Sequence, residues 1–332
     1  MFHFLRSGGS GGDQAVVNMP DETVSRRPTI ALALGGGAAR GFAHIGVIRT
    51  LVAKGFKPDI IAGTSIGAVV GGCYAAGKLD EIEQWARSLT RRRLFSYLDV
   101  SLGGLGLISG TRLFESLNEA IGDARIDELP LRFAAIATEI GTGHEIWLTR
   151  GRLADALRAS YALPGIFPAV QIGERWLMDG ALVNPVPVSA ARALGGRIVI
   201  AVNVNTDLFG RGTTIQDLGA TESGPSIPSI EEEAASRGLL GLFGAEKNAR
   251  RRFFGTAARP GLSNVMVEAF NVMQDRITRA RLAGDPPDVM ISPRIGRIGL
   301  FDFQRANDAI AIGAEATEKA LESFDEIVAG LA

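Results

Sequence analysis

KPDIIAGTSIGAVVGGCYAAGK, residues 57–78, contains an uncharged run from Ile60 to Gly77. A run of that length is one that a hydropathy window assigns to a membrane span. Glycines at 63, 67, 71, 72 and 77 argue against a span, as does the turn signal Gly-Thr-Ser-Ile-Gly at its centre. The first part reads as a strand buried on both faces, which needs no polar alternation. The second part reads as a helix that begins near Ile66. Ser65 lies at the junction and has two readings. Gly and Ser are small, and a tight strand-to-helix turn needs small residues. Alternatively, G-x-S-x-G is the elbow that holds a nucleophilic serine in many acyl hydrolases. In a chain with 42 glycines the motif alone decides nothing.

Working outward, the same alternation of strand and helix repeats. Thr29 to Leu34 reads as a buried strand running into the glycines of GGGAARG, residues 35–41. A helix follows, with Ile45, Ile48, Leu51 and Val52 on one face and Gly55 as its stop. Helices are predicted at Leu79–Leu89, Thr111–Ile121 and Leu153–Ser160. Strands at Arg132–Glu139 and His144–Thr149 form a hairpin across IGTG. YALPGIFPAV reads as an ordered loop. ERWLMDG reads as a short strand ending at Asp179, and RIVIAVNV as a strongly apolar strand. A long amphipathic helix over NVMVEAFNVMQDRITRARLAG, a last strand at PDVMISP and one or two closing helices in Phe301–Leu331 complete the pattern. The fold class is therefore α/β, with a mostly parallel sheet covered on both faces. Ligands of such sheets bind beyond the carboxyl ends of the strands, and GGGAARG, GTSIG and MDG each follow a predicted strand.

Composition narrows the function. At 332 residues the chain can bury a full core as one large or two smaller domains. Its 35 basic and 36 acidic residues nearly cancel, leaving no electrostatic footprint for nucleic acid. A single cysteine, Cys73, excludes an internal disulfide framework and suits a reducing compartment. His3, His44 and His144 are the only histidines, and with one cysteine they form no zinc cluster. No acidic cluster is spaced for calcium, so neither a metal nor another cofactor is expected. Residues 1–28 read as a flexible tail without a signal-peptide h-region. These features lead to an expected cytoplasmic location.

If Ser65 is a nucleophile, it needs a base. The order Ser, acid, His is impossible because no histidine follows His144. His44 reads either as a base or as a helix residue packed behind the glycine loop. His144, in the hairpin, reads as an exposed strand residue. A carboxylate acting directly on the serine is the remaining choice. Asp179 ends a strand, and Gly180 leaves the backbone room; Asp-Gly is also an ordinary turn pair. The amides of the glycine loop favour negative charge, whether of a phosphate or of a tetrahedral oxyanion. The dinucleotide fingerprint fails at Arg40 when started from Gly35 and at Ala38 when started from Gly36. Asp59, the candidate ribose-binding acid, precedes its strand instead of ending it.

LGGGAARGFAHIGVI, AGTSIGAVVGG, RASYALPGIFPAV and MDGALVNPVPV, in that order across residues 28–205, together resemble the patatin-like phospholipase family, especially its compact bacterial branch. The resemblance implies a three-layer α/β/α sandwich over residues 29–332 and a Ser–Asp dyad. Ser65 is then the nucleophile and Asp179 the proton acceptor. The amides of Gly36, Gly37 and Ala38 form the oxyanion hole, with Arg40, Gly41, Gly63, Gly67 and Gly180 in support. Ala38 stands where glycine is commoner, and a positive φ there is costly. The implied activity is hydrolysis of phospholipid, lysophospholipid or other acyl esters. A lipid transacylase would share every residue, and a non-catalytic lipid-binding regulator would need only the fold.

Residues 205–260 carry no motif of that family and read as a mobile insertion or lid. Leu239, Leu240, Leu242, Phe243, Phe253 and Phe254 flank a polar stretch ending in Arg250, Arg251 and Arg252. Such a segment suits either an anionic bilayer surface or packing onto the sheet. Oligomeric state is not legible.

Overall fold

The computed structural model describes residues 27–90, 111–207, 255–256, 259–260 and 262–322. The tail expected over 1–28 lies outside them except for its last two residues. The leucines, phenylalanines and arginines singled out between 239 and 254 also lie outside.

Five strands form the parallel part of the sheet, in the order β10 (Val289–Ile291), β7 (Ile198–Val202), β1 (Ile30–Leu34), β2 (Ile60–Thr64) and β3 (Arg132–Glu139). Every residue of β1, β2 and β7 is buried, and the one polar side chain among them, Thr64, donates to the Asn184 carbonyl. Beyond β3 the direction reverses. Hairpin strand β4 (Glu145–Leu148) pairs antiparallel with β3, as do β6 (Arg175–Asp179) with β3 and β5 (Val170–Ile172) with β6. β8 (Gly255–Thr256) and β9 (Arg259–Pro260) form a separate two-residue hairpin.

The two faces differ in bulk. Ile30, Leu32 and Leu34 of β1 point into the larger core, shared with helices α1 (Ala43–Ala53), α2 (Ile66–Ala75), α3 (Leu79–Ser88), α4 (Thr111–Ile121), α5 (Leu153–Ser160) and α8 (Ala306–Leu321). Ala31 and Ala33 point the other way, where α6 (Val188–Ala193) and the end of α7 (Leu262–Gly284) cover a thinner layer. Helices on both faces make a three-layer α/β/α sandwich. Alanine on one side lets that layer sit close, while branched side chains on the other fill a deeper core.

The run Ile60–Gly77 is thus a strand, a turn and a buried helix. Among the described residues no helix is long and apolar enough to cross a membrane. Where YALPGIFPAV was expected to be loop throughout, its last residue opens β5. α6, unforeseen in the sequence, begins directly after Pro187. The long helix α7 is less one-sided than its sequence implies, since Val265, Met266, Val272 and Met273 remain exposed.

The antiparallel direction of β6 matters for the site. β6 enters from the carboxyl edge and runs inward, ending where Asp179 pairs with Ala137 of β3. Its neighbour Ile136 pairs with Thr64, the last residue of β2. Asp179 and Ser65 therefore meet across β3 through register. The rule that ligands sit beyond parallel strand ends accounts for Ser65 and the glycine loop, but not for Asp179.

Candidate active site

Ser65 sits between β2 and α2 with φ 56° and ψ −124°, a backbone conformation that side chains rarely adopt. Residues held there cost about 1–3 kcal/mol and persist only when their surroundings fix them. The glycines on either side are required by close approach. A Cβ on Gly63 would come within 2.5 Å of Ala68 Cα, and one on Gly67 would enter the carbonyl oxygen of Leu34. The Ser65 amide donates to Ser160 Oγ (2.9 Å), whose hydroxyl donates in turn to the Ile136 carbonyl (2.6 Å). Ser160 lies within one of the quoted sequence blocks, yet its sequence context gives no sign of this duty.

The Ser65 hydroxyl donates to Asp179 Oδ2 at 2.7 Å. The other carboxylate oxygen, Oδ1, accepts from the Ala181 amide (2.8 Å). Backbone bonds fix the residue itself: its amide donates to Ala162, and Thr138 Oγ1 donates to its carbonyl. Asp179 is buried, and desolvation pushes its pKa up from 3.8 to about 6, with the bonds from Ala181 and Ser65 acting in the opposite sense. A carboxylate so placed is an unusually strong base for an aspartate, yet it is ionised at neutral pH. The amino end of α2 faces Ser65 and favours negative charge there.

The three amides of the glycine loop differ in their partners. The Gly36 amide is engaged, donating to the Pro185 carbonyl at 3.0 Å. The amides of Gly37 and Ala38 donate to no group among the described residues, and both residues line the cavity beside Ser65. Ala38 adopts φ 46°, the costly conformation anticipated for it. The Gly36 amide thus anchors the loop to the segment following Asp179, and of the three amides expected to face an oxyanion it is the one with a protein acceptor.

Arg40 is buried, and its guanidinium is turned to protein acceptors. Its Nε donates to the Ile298 carbonyl (3.0 Å) and its Nη1 to Asn205 Oδ1 (2.6 Å), so the guanidinium braces the loop from behind. Asn205 Nδ2 then donates to the Gly36 carbonyl (3.0 Å) and to Gln274 Oε1 (3.2 Å). Asn205, the first residue of the expected insertion, thus belongs to the support of the site.

The two histidines separate cleanly. His44 is fully buried behind the loop, and its Nε2–H donates to the Gly35 carbonyl at 2.8 Å. Nδ1 has no partner, and burial lowers the ring pKa to about 4. Neither nitrogen bonds to Ser65. His144 is exposed, with Nδ1 3.8 Å from Glu139. Asp59 is occupied at the opposite edge of the sheet by Arg27 and the Ile30 amide.

Ser65 and Asp179 open into a cavity of about 210 Å³. Its walls are apolar, built from Phe42, Val69, Ile82, Leu117, Phe270 and Phe303 among others. Among the described residues no group of His, Cys, Asp and Glu could hold a metal ion. The profile of the patatin-like phospholipase family matches residues 32–192, which include Ser65, Asp179 and the glycine loop. An uncharacterized NTE family protein of Mycobacterium tuberculosis is 32% identical over 336 residues, 91% of this chain and 93% of its own.

The chain belongs to the patatin-like phospholipase family.

The similarity extends to eukaryotic members of the family. Lysophospholipase NTE1 of Yarrowia lipolytica is 30% identical over 67% of this chain, which corresponds to 16% of that much longer protein. Among solved structures, VipD of Legionella pneumophila aligns over 90% of this patatin-like chain and 67% of its own, with 12% identity and a TM-score of 0.45.

Proposed function

We propose that this chain is a serine acyl hydrolase of lipid esters, of the phospholipase A or lysophospholipase type, within a hydrolase domain spanning residues 29–332. Ser65 is the nucleophile and Asp179 the proton acceptor. The observation that carries the reading is the 2.7 Å bond from Ser65 Oγ to Asp179 Oδ2 in the wall of an apolar cavity. The hydroxyl attacks the ester carbonyl carbon as its proton passes to Asp179. The carbonyl oxygen becomes an oxyanion, received by the Gly37 and Ala38 amides. Collapse breaks the bond to the alcohol, which leaves with the proton from Asp179, and Ser65 is acylated. Water then attacks the acyl-serine, giving its proton to Asp179. The tetrahedral adduct collapses, the proton returns to Ser65, and the fatty acid departs.

The apolar walls support a hydrocarbon acyl chain, with about 0.8 kcal/mol gained per buried methylene. Peripheral contact with a bilayer is part of the proposal, because the substrate resides there. A relative named as a lysophospholipase supports the substrate class. The test incubates the protein with a mixed lipid extract and identifies products by mass spectrometry. Release of free fatty acid by the parent, and not by Ser65→Ala, is expected. Acylated alcohols in place of free acid would make the enzyme a transacylase. No change in the extract would remove the catalytic reading.

A further inference from the structure

Gln274 of α7 is buried and lines the cavity, and the hydrogen bonds around it fix which way its carboxamide faces. Arg40 can only donate, so the atom of Asn205 that it meets must be the oxygen. The Asn205 nitrogen therefore faces Gln274 and the Gly36 carbonyl. Because that nitrogen donates, the atom of Gln274 it meets must be the oxygen. The Nε2 amino group of Gln274 is then the free end, and it donates to no group among the described residues.

Its place is beside the candidate nucleophile. A point one Cβ bond from Gly36 lies 3.4 Å from Ser65 Cβ, 3.4 Å from Ala181 Cβ and 3.7 Å from Gln274 Oε1. α7 also packs against the Gly180–Leu182 turn that follows Asp179. The residue as a whole is buried, yet this amino group is not among the sealed polar atoms that lack a partner, so it opens to the cavity that Gln274 lines. Gln274, Ser65 and Asp179 line one mostly apolar cavity, so the amino group shares the space in which the reaction would develop negative charge. The same glycine loop has lost one of its three amides to Pro185.

We infer that Gln274 supplies the third hydrogen-bond donor to the oxyanion, replacing the engaged amide of Gly36. The inference rests on the acyl-hydrolase reading. Arg40 and Asn205 are positioning residues that set the carboxamide the right way round. Gln274 itself touches the substrate, donating to its carbonyl oxygen as that oxygen becomes charged.

Two substitutions test it on a soluble short-chain nitrophenyl ester. Gln274→Met keeps the length and removes the donor. Its kcat should fall by about 10²- to 10³-fold, as for the loss of one oxyanion donor, with KM held within about threefold. Gln274→Glu replaces the donor with an acceptor when ionised, but a protonated carboxyl can still donate. Its kcat relative to the parent should therefore rise as pH is lowered from 8 to 5, a trend that a packing defect would not produce. Labelling of Ser65 by a fluorophosphonate in the parent, with turnover, establishes the underlying reading separately. If the parent takes no label and releases no acid, that reading falls. If the parent labels and turns over but Gln274→Met matches its kcat, only the role of Gln274 falls. Should Gln274→Met fail to fold, the Gln274→Glu ratio decides: a ratio independent of pH refutes the donor.

Discussion

Asp179→Asn should make the protein more stable while removing its activity, and the gain should depend on pH. Burial raises the Asp179 pKa from 3.8 to about 6, so the folded state holds the protonated acid more firmly than the unfolded chain does. Below about pH 4 the group is neutral in both states and costs nothing. Above about pH 6 it is charged in both, and the folded state bears a penalty of about 3 kcal/mol. His44 has the opposite sign. Its pKa falls from 6.5 to about 4, so it costs nothing above pH 6.5 and about 3 kcal/mol below pH 4. In the parent these two slopes oppose each other between about pH 4 and 6.5 and largely cancel. Asparagine preserves the shape: its oxygen can accept from Ala181 and its nitrogen can donate to Ser65. Urea denaturation followed by circular dichroism, at half-unit steps from pH 4 to 8, reads the outcome. The variant should gain about 3 kcal/mol at pH 7.5, with the gain shrinking towards zero near pH 4. Its esterase activity should fall by roughly four powers of ten, the scale for losing an activating carboxylate in serine hydrolases. A variant no more stable than the parent at pH 7.5, or one whose gain does not change with pH, would refute the claim that Asp179 is held ionised against its surroundings.

Ser65→Ala should abolish fatty-acid release. Adding Asp179→Asn should lower the residual rate hardly further, because the pair acts as one unit; additive losses in the double variant would disprove a dyad. The kcat/KM of the parent should drop below about pH 6 with the loss of one ionisation, that of Asp179. His44→Gln should keep this limb and lose less than tenfold in rate, since a packing disturbance of about 1 kcal/mol accounts for no more. A missing limb, or failure of a fluorophosphonate to label well-folded His44→Gln protein, would return the histidine to the mechanism. Along a series of nitrophenyl esters, kcat/KM should rise by up to about fourfold per methylene until the cavity is full. Ala120→Phe, which places a ring in the cavity wall, should end that rise at a shorter chain. An unchanged optimum would show that the acyl group binds elsewhere.

The fold was legible where burial writes itself into composition. IALAL, IIAGT and IVIAV are strands because they are apolar save for Thr64 and end at glycine, asparagine or a strained turn; no helix of that length could use both faces so fully. The strand Arg132–Glu139 and the helix Leu153–Ser160 appear with the boundaries read from their periodicity. α6 was hidden because Pro185 and Pro187 mark the segment as loop, whereas a proline just before a helix is compatible with its first turn. The direction of β6 was not legible at all. Five residues, RWLMD, carry no signal that separates parallel from antiparallel pairing, and the placement of Asp179 beside Ser65 depends on that direction.

The candidate site shows the same division between local and distant information. Ser65, Asp179 and the glycine loop carry turn chemistry that a sequence displays: small residues where another chain segment must approach, and an acid before a glycine. The hydrogen bonds that orient these groups have no such period. Arg40, Asn205 and Gln274 come from the first helical turn, the turn after β7 and the middle of α7, and only the folded sheet brings them together. The engaged Gly36 amide follows from the same cause, because its acceptor, Pro185, lies beyond Asp179 in the chain. Three costs converge at this place: positive φ at Ser65 and at Ala38, and a carboxylate buried at Asp179. None stabilises the native state, and each requires a rigid surround to persist. The fully buried strands and the close alanine layer supply that rigidity. The easily read part of the sequence therefore builds the framework that holds the poorly read part in a conformation it would not otherwise adopt.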